Sequence, residues 1–221
     1  MRTESHISIT RTTVREGEIS RHAGTRFEGG RAYAVATGLG LPRSWPMATS
    51  AILVGFERGL EETRTKQGPP PAGLTGAGRA LHCAERARAS LADLCEQLVE
   101  RSLPDASFVA LLVEHGDLHV VSAGPTRAYL HRRGKPQRLT PREEPAGGVL
   151  RSAVSHCHVV LEPGDLLMMG SVSAFSMRAI SQVVSVLQAD PRTAPAVIAS
   201  VLTDPAGQAG VGAGAVVMRV E

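Results

Sequence analysis

The stretch DLHVVSAGPTRAYLHRRGKPQRL, residues 117–139, decides the fold. Leu118, Val120 and Ser122 alternate with His119, Val121 and Ala123, a period of two with mostly apolar character on both faces. That pattern marks a strand inside a β-sheet rather than on its surface. Gly124-Pro125 then turns the chain, and residues 127–131 are strand-like again. Arg133-Gly134-Lys135 has hairpin chemistry, because Gly134 takes positive φ without steric cost. Leu139 closes the unit. The reading is the interior of a sheet whose strands meet at Gly124.

Working outward, the 221 residues suit a single domain with a substantial core. Aromatic residues are only 3% of the chain, so Val, Leu, Ala and Met must fill that core. No apolar run approaches the ~20 residues of a membrane span. The N-terminal stretch is polar and lacks a secretory segment, which makes the cytoplasm the expected location and excludes a membrane partner. Cys83, Cys95 and Cys157 have no metal-type spacing and read as small buried hydrophobes. In a strand, His156 and His158 share one face and Cys157 takes the other, so His-Cys-His does not converge on an ion. The net charge is +3, carried almost wholly by arginine, since Lys66 and Lys135 are the only lysines. A nucleic-acid partner is excluded by the lack of a basic stripe with interleaved aromatics.

Strands are expected over 6–14, near Ile19, and over 31–37, with residues 21–30 as a Gly-containing loop. An amphipathic helix follows over 46–66, then a Pro-rich connection at 67–78 and a second helix over 79–101. Strands at 108–113, 153–161 and 166–169 flank the opening unit. Helices at 176–187 and 191–202, the latter capped by Asp190, precede a Gly-rich loop over 204–214 and a last strand over 215–220. Runs of strands and paired helices, without βα alternation, imply an α+β fold. Its expected form is a four-layer αββα sandwich of two antiparallel sheets with helices outside.

Gly124-Pro125-Thr126-Arg127-Ala128-Tyr129-Leu130, with Leu139-Thr140 after the hairpin, resembles the Gly-Asp-Ser-Arg-Ala-Tyr-Leu signature of the metal-dependent (PPM, type 2C) Ser/Thr protein phosphatases. Ala34-Val35-Ala36-Thr37-Gly38-Leu39-Gly40 is similar to that family's Ala-Val-Ala-Asp-Gly-Met-Gly. Glu162-Pro163-Gly164-Asp165 is similar to its Pro-Gly-Asp turn, and residues 212–220 to its final Asp-Asn strand. The landmarks occur in order over nearly the whole chain and imply the family's sandwich as one domain over 1–221. The segment between Leu139 and Leu161 is short for the flap common in bacterial members.

Family members hold two divalent cations through aspartates, and the metals generate the attacking hydroxide. By the resemblance those aspartates fall on Ser20, Thr37, Pro125, Val172 and Gly212, none of which supplies the anionic oxygen that a hard cation needs. Arg15 aligns with the family's phosphate-binding arginine, and Arg127 is expected to pair structurally. The resemblance with these substitutions implies a catalytically inactive pseudophosphatase without metal or other cofactor. Such a module would engage a phosphoprotein, a Ser/Thr kinase or another subunit of a signalling complex. Two alternatives stay open. One is an active phosphatase with atypical ligands, for which Glu18, Asp117, Asp165 and His156 have the right atoms. The other is a scaffold or homo-oligomeric component.

Overall fold

The computed structural model describes residues 2–15, 17–64, 74, 76–98, 103–143 and 146–221. Most of the Pro-rich connection expected over 67–78, and residues 65–66 and 99–101 at the ends of the two expected helices, lie outside these residues. Strands β6 (Asp105–Glu114) and β7 (Asp117–Ala123) form a hairpin, with Phe108 opposite Ala123 and Glu114 opposite Asp117. With β4 (His22–Phe27), β5 (Ala32–Leu39) and β10 (Ser155–Val160) they build an antiparallel sheet in the order β10-β7-β6-β5-β4. A second sheet runs β1-β12-β11-β8-β9, from β1 (Thr3–Thr10), β8 (Thr126–Arg132), β9 (Lys135–Arg138), β11 (Leu166–Ser171) and β12 (Ala213–Val220). A small hairpin of β2 (Thr12–Val14) and β3 (Gly17–Ile19) stands apart from both.

The opening unit is therefore divided: β7 belongs to one sheet, β8 and β9 to the other. The single sheet read from the sequence is corrected here. Alternation identifies a strand but not its neighbours. Gly124 at φ +77° redirects the chain, and Pro125 offers no amide hydrogen to continue a ladder.

Helices α1 (Trp45–Glu62) and α2 (Ala77–Gln97) cover the first sheet, and α3 (Met177–Ala189) and α4 (Pro195–Gln208) the second. This is the four-layer αββα arrangement. The apolar run of β11 serves two layers: Leu167 and Met169 face the core between the sheets, whereas Leu166 and Met168 face α3 and α4. That double burial is why the strand has no polar face. Cys83 and Cys95 are buried in the α1–α2 layer and Cys157 is half-buried. Burial pushes the Cys83 thiol up to about 12, which makes it inert at neutral pH.

Three expectations are corrected. Residues 22–27 form edge strand β4 and not a loop. The glycine that suggested a loop is required by packing, because a Cβ on Gly24 would meet Ile7 Cγ2 at 3.0 Å and Ile9 Cδ1 at 3.3 Å. Asp190 is not the N-cap of α4 but the C-cap of α3, its amide donating to the Val186 carbonyl at 2.9 Å. Its Oδ1 accepts from Arg192 N at 2.9 Å, and α4 begins five residues later at Pro195. Helix α4 also runs on to Gln208 through Pro205, where the sequence reads as a Gly-rich loop. Its burial against the second sheet outweighs the local propensity.

At the start of β11, Asp165 is 1% exposed and receives a bidentate pair from Arg132, Nε to Oδ1 at 2.8 Å and Nη2 to Oδ2 at 2.6 Å. The Glu162 amide also donates to Oδ2 at 2.8 Å. Asp165→Asn is expected to cost about 3 kcal/mol, because a buried partner of a guanidinium is lost. A urea midpoint matching the wild type would show that water replaces the pair.

Candidate functional site

Four of the positions singled out by the resemblance, Thr37, Pro125, Val172 and Gly212, lie at one end of the sandwich, where β5 and β11 end and β8 and β12 begin. Thr37 is buried near the end of β5, opposite His22 on β4 and Ser107 on β6. Thr37 Oγ1 and His22 Nδ1 are hydrogen-bonded at 3.0 Å. From the facing sheet, Ser171 Oγ accepts from Gly214 N at 3.1 Å and contacts Ser173 Oγ at 2.9 Å. The Cβ of His22 packs against Gly214, where an added Cβ would lie 3.2 Å from it.

His22 is the residue that the sequence did not reveal. It is 3% exposed, and its Nε2 is buried without a well-aligned hydrogen-bond partner among the described residues. Burial, reinforced by the neighbouring Arg21 charge, pushes its pKa down to about 4, against a smaller opposite pull from the backbone of Gly212 and Val211. The imidazole is therefore neutral at pH 7. Arg21 itself sits at 5.1 Å over the Trp45 ring and donates from Nε to the Gly38 carbonyl at 3.1 Å. The only available sequence signal was the alternation of 22–27, masked by Gly24.

Gly212 precedes β12 with φ +70°, and a Cβ there would collide with Thr12 Oγ1 and approach the Arg11 carbonyl carbon at 2.9 Å. An aspartate at this position needs a different path for Arg11 and Thr12, where the chain enters the β2–β3 hairpin. Val172 opens a short 3-10 turn, Val172–Phe175, directly after Ser171. Pro125 follows Gly124 at the crossing between the sheets. Nearby, Ser107 Oγ and Thr126 Oγ1 are buried without hydrogen-bond partners among the described residues. Ser20 lies away from this group, on the α1 side of β4 with Ala23, Thr25 and Phe27. Arg15, exposed at the β2–β3 hairpin, borders an open depression with Val14, Leu41, Pro42 and Arg43. Arg127 donates from Nη1 to the Phe175 carbonyl at 2.9 Å.

The lining at this end is thus hydroxyl, imidazole and backbone, all uncharged. A hard divalent cation requires several anionic oxygens, and this set does not fit one. No group of three or more His, Cys, Asp or Glu placed to hold a metal occurs among the described residues. The carboxylate at the start of β6, Asp105, is committed to the backbone: Oδ1 accepts from Ala106 N at 2.8 Å and Oδ2 from Gly148 N at 3.0 Å. Through these bonds it straps down the short segment after Leu139. Val149 of that segment is fully buried, and Arg88 donates from Nη2 to the Ser152 carbonyl at 2.5 Å.

The atoms considered for an atypical hydrolase are dispersed. Asp165 is held by Arg132 at the far end of β11 from Ser171. Glu18 is exposed on β3. His156 and His158 lie on the outer face of β10, where both stack on His119 at ring separations of 5.5 and 4.9 Å. Asp117 accepts from or pairs with His158 Nε2 at 2.9 Å. The imidazoles lie nearly parallel, and His119 Nδ1 and His156 Nε2 are hydrogen-bonded to each other at 3.2 Å.

No helix among the described residues is long and apolar enough to cross a membrane. No protein-family model matches the sequence, and no curated protein matches it either. Solved structures do resemble it. The PPM Ser-Thr phosphatase MsPP from Mycobacterium smegmatis, in complex with cacodylate, superposes with a TM-score of 0.74 at 19% identity, over 99% of this chain and 98% of that one. PppA, described as a key regulatory component of T6SS in Pseudomonas aeruginosa, gives 0.72 at 18% identity, over 100% and 99%. The serine/threonine phosphatase PstP/Ppp of Mycobacterium tuberculosis gives 0.74 at 15% identity, over 99% of both chains. At such identities the likeness is one of architecture, and the chain has the fold of the PPM phosphatases.

Proposed function

We propose that this chain is a catalytically inactive PPM-type pseudophosphatase, a regulatory or protein-binding module in Ser/Thr phosphorylation signalling. The observation that carries the reading is the uncharged lining at the end of the sandwich, where neutral His22 and Thr37 stand beside Ser171 and Gly212. A nucleophilic hydroxide at neutral pH needs a cation to lower the pKa of water, and this set of side chains offers no seat for one. In this reading the single domain spans 1–221 without a mobile flap, acts in the cytoplasm and takes no cofactor. Its partner is a phosphoprotein, a Ser/Thr kinase or a subunit of a signalling complex. Ser20, Thr37, Pro125, Val172 and Gly212 are vestigial metal positions, and Arg15 is left to meet a phosphate. The description of PppA as a regulatory component is in keeping with a regulatory use of this fold.

The test is calorimetric titration with Mn²⁺ and Mg²⁺, followed by a phosphopeptide hydrolysis assay in the same buffer. Neither stoichiometric uptake nor turnover above the buffer blank is expected. Turnover that rises with metal and disappears with chelator overturns the proposal.

A further inference from the structure

Outside the site just described, a cavity of about 440 Å³ lies on the outer side of the second sheet, beneath α3. Its walls are Tyr129 and Met168 from the sheet, Phe175 from the 3-10 turn, and Val183, Leu187 and Leu202 from α3 and α4. No Asp, Glu, Lys or Arg among the described residues lines it. Protein interiors are normally packed close to crystal density, so an apolar void of this size between a helix and its sheet is a receptacle rather than ordinary slack.

One end of the cavity has a different chemistry. His131 and Gln188 line it there, beside Pro191. Across the sheet, His131, Leu166 and Arg219 stand in one row on neighbouring strands β8, β11 and β12. Leu166 of that row faces the α3–α4 layer, so the alternation of the strands turns its two neighbours the same way. Arg219 donates from Nη2 to the Thr193 carbonyl at 2.9 Å, in the α3–α4 connection that also supplies Pro191. Its Nε is buried with no hydrogen-bond partner among the described residues. Glu4, its neighbour on β1, is exposed, and no ion pair joins the two among the described residues. The nearby guanidinium and partial burial, with burial the larger cause, keep the His131 pKa below the usual histidine range. The Arg219 guanidinium therefore stands in the same row as His131, behind the polar end of an uncharged apolar cavity that it does not itself line.

We propose that this cavity binds an apolar monocarboxylic acid, with its hydrocarbon chain among Met168, Phe175 and Leu202 and its carboxylate at the His131–Arg219 end. Apolar burial supplies most of the affinity, and the guanidinium selects the acid over a neutral or cationic head. The proposal is independent of the pseudophosphatase reading, because the row of His131, Leu166 and Arg219 lies at the opposite end of β11 from Ser171.

Decanoate below its micellar concentration, with 1-decanol as the uncharged comparator, tests this by calorimetry on the full chain. Decanoate is expected to bind about tenfold more tightly than decanol, the effect of one positive charge held near the head group in a poorly screened site. Arg219→Gln should remove that preference while leaving decanol binding unchanged. Val184→Trp, at the half-exposed rim of the cavity, should abolish binding of both without lowering the unfolding midpoint. No heat with decanoate, equal affinity for decanol, or unaltered binding in Val184→Trp overturns the assignment.

Discussion

Arg79→Ala is expected to lower the thermal midpoint by about 10 °C, the equivalent of roughly 3–5 kcal/mol in a domain of this length. Arg79 stands in the first turn of α2, and its guanidinium joins four separate pieces of chain. Nη1 donates to Glu114 Oε1 at 2.5 Å, Nη2 donates to Glu28 Oε1, and Nε donates to Thr63 Oγ1 at 2.9 Å. Glu114 in turn accepts from Gly76 N at 2.7 Å, immediately before α2. The bonds tie the end of α1 and the start of α2 to the β4–β5 and β6–β7 connections. All three charged side chains are less than one-fifth exposed, at 12%, 16% and 17%. Burial works against the guanidinium charge, but Glu114 and Glu28 outweigh it, so the Arg79 pKa is raised. Removing Arg79 leaves two mostly buried carboxylates facing each other without compensation, and that penalty is larger than the value of the intact pairs. A triple variant, Arg79→Met with Glu28→Gln and Glu114→Gln, should recover much of the loss. A midpoint for Arg79→Ala within 2 °C of wild type would mean that water reaches these carboxylates freely.

Much of this architecture was legible because burial leaves a periodic mark. β6, β7 and β11 are apolar on both faces since helices cover one side of each sheet and the other sheet covers the opposite side. Gly134 at φ +77° makes the β8–β9 hairpin that its sequence chemistry demanded. Features that depend on a neighbour left no such mark. The sheet change at Gly124, the close contact that requires Gly24, and the continuation of α4 through Pro205 are set by residues distant in sequence.

The candidate site divides along the same line. Thr37, Val172 and Gly212 could be placed from short motifs, each at a strand end. Ser20 could not be brought to them by motif alone: it precedes β4 and opens onto the α1 side with Ala23, Thr25 and Phe27. His22 carries no motif, and only the pairing of β4 with β5 sets it against Thr37. Arg79 was equally hidden. Its place at the start of a helix was readable, but partners 35 and 51 residues away were not.

Acid is expected to destabilise the protein through His22 well before the carboxylates titrate. The folded pKa of about 4 lies below the ordinary value of 6.5, so the unfolded chain binds a proton that the folded chain refuses. Stability from this group is complete above pH 6.5 and declines as pH falls toward 4. At pH 5 the loss relative to pH 7 is about 2 kcal/mol from this residue. His119 and His156, whose pKa values burial also lowers, act in the same direction. Wild type should therefore lose stability steeply from pH 7 to 5, and His22→Gln should lose distinctly less. Glutamine keeps a polar partner for Thr37 Oγ1 but cannot titrate, which separates the charge from the hydrogen bond. The comparison bears directly on the site. The buried imidazole beside Arg21 resists protonation, and the same burial and neighbouring charge disfavour any other cation that the surrounding residues do not neutralise. Equal pH slopes for wild type and His22→Gln would place the acid-sensitive group elsewhere. The mouth of the sandwich would then be open enough to solvate a charge, and the case against a cation there would rest on its hydroxyl and backbone donors alone.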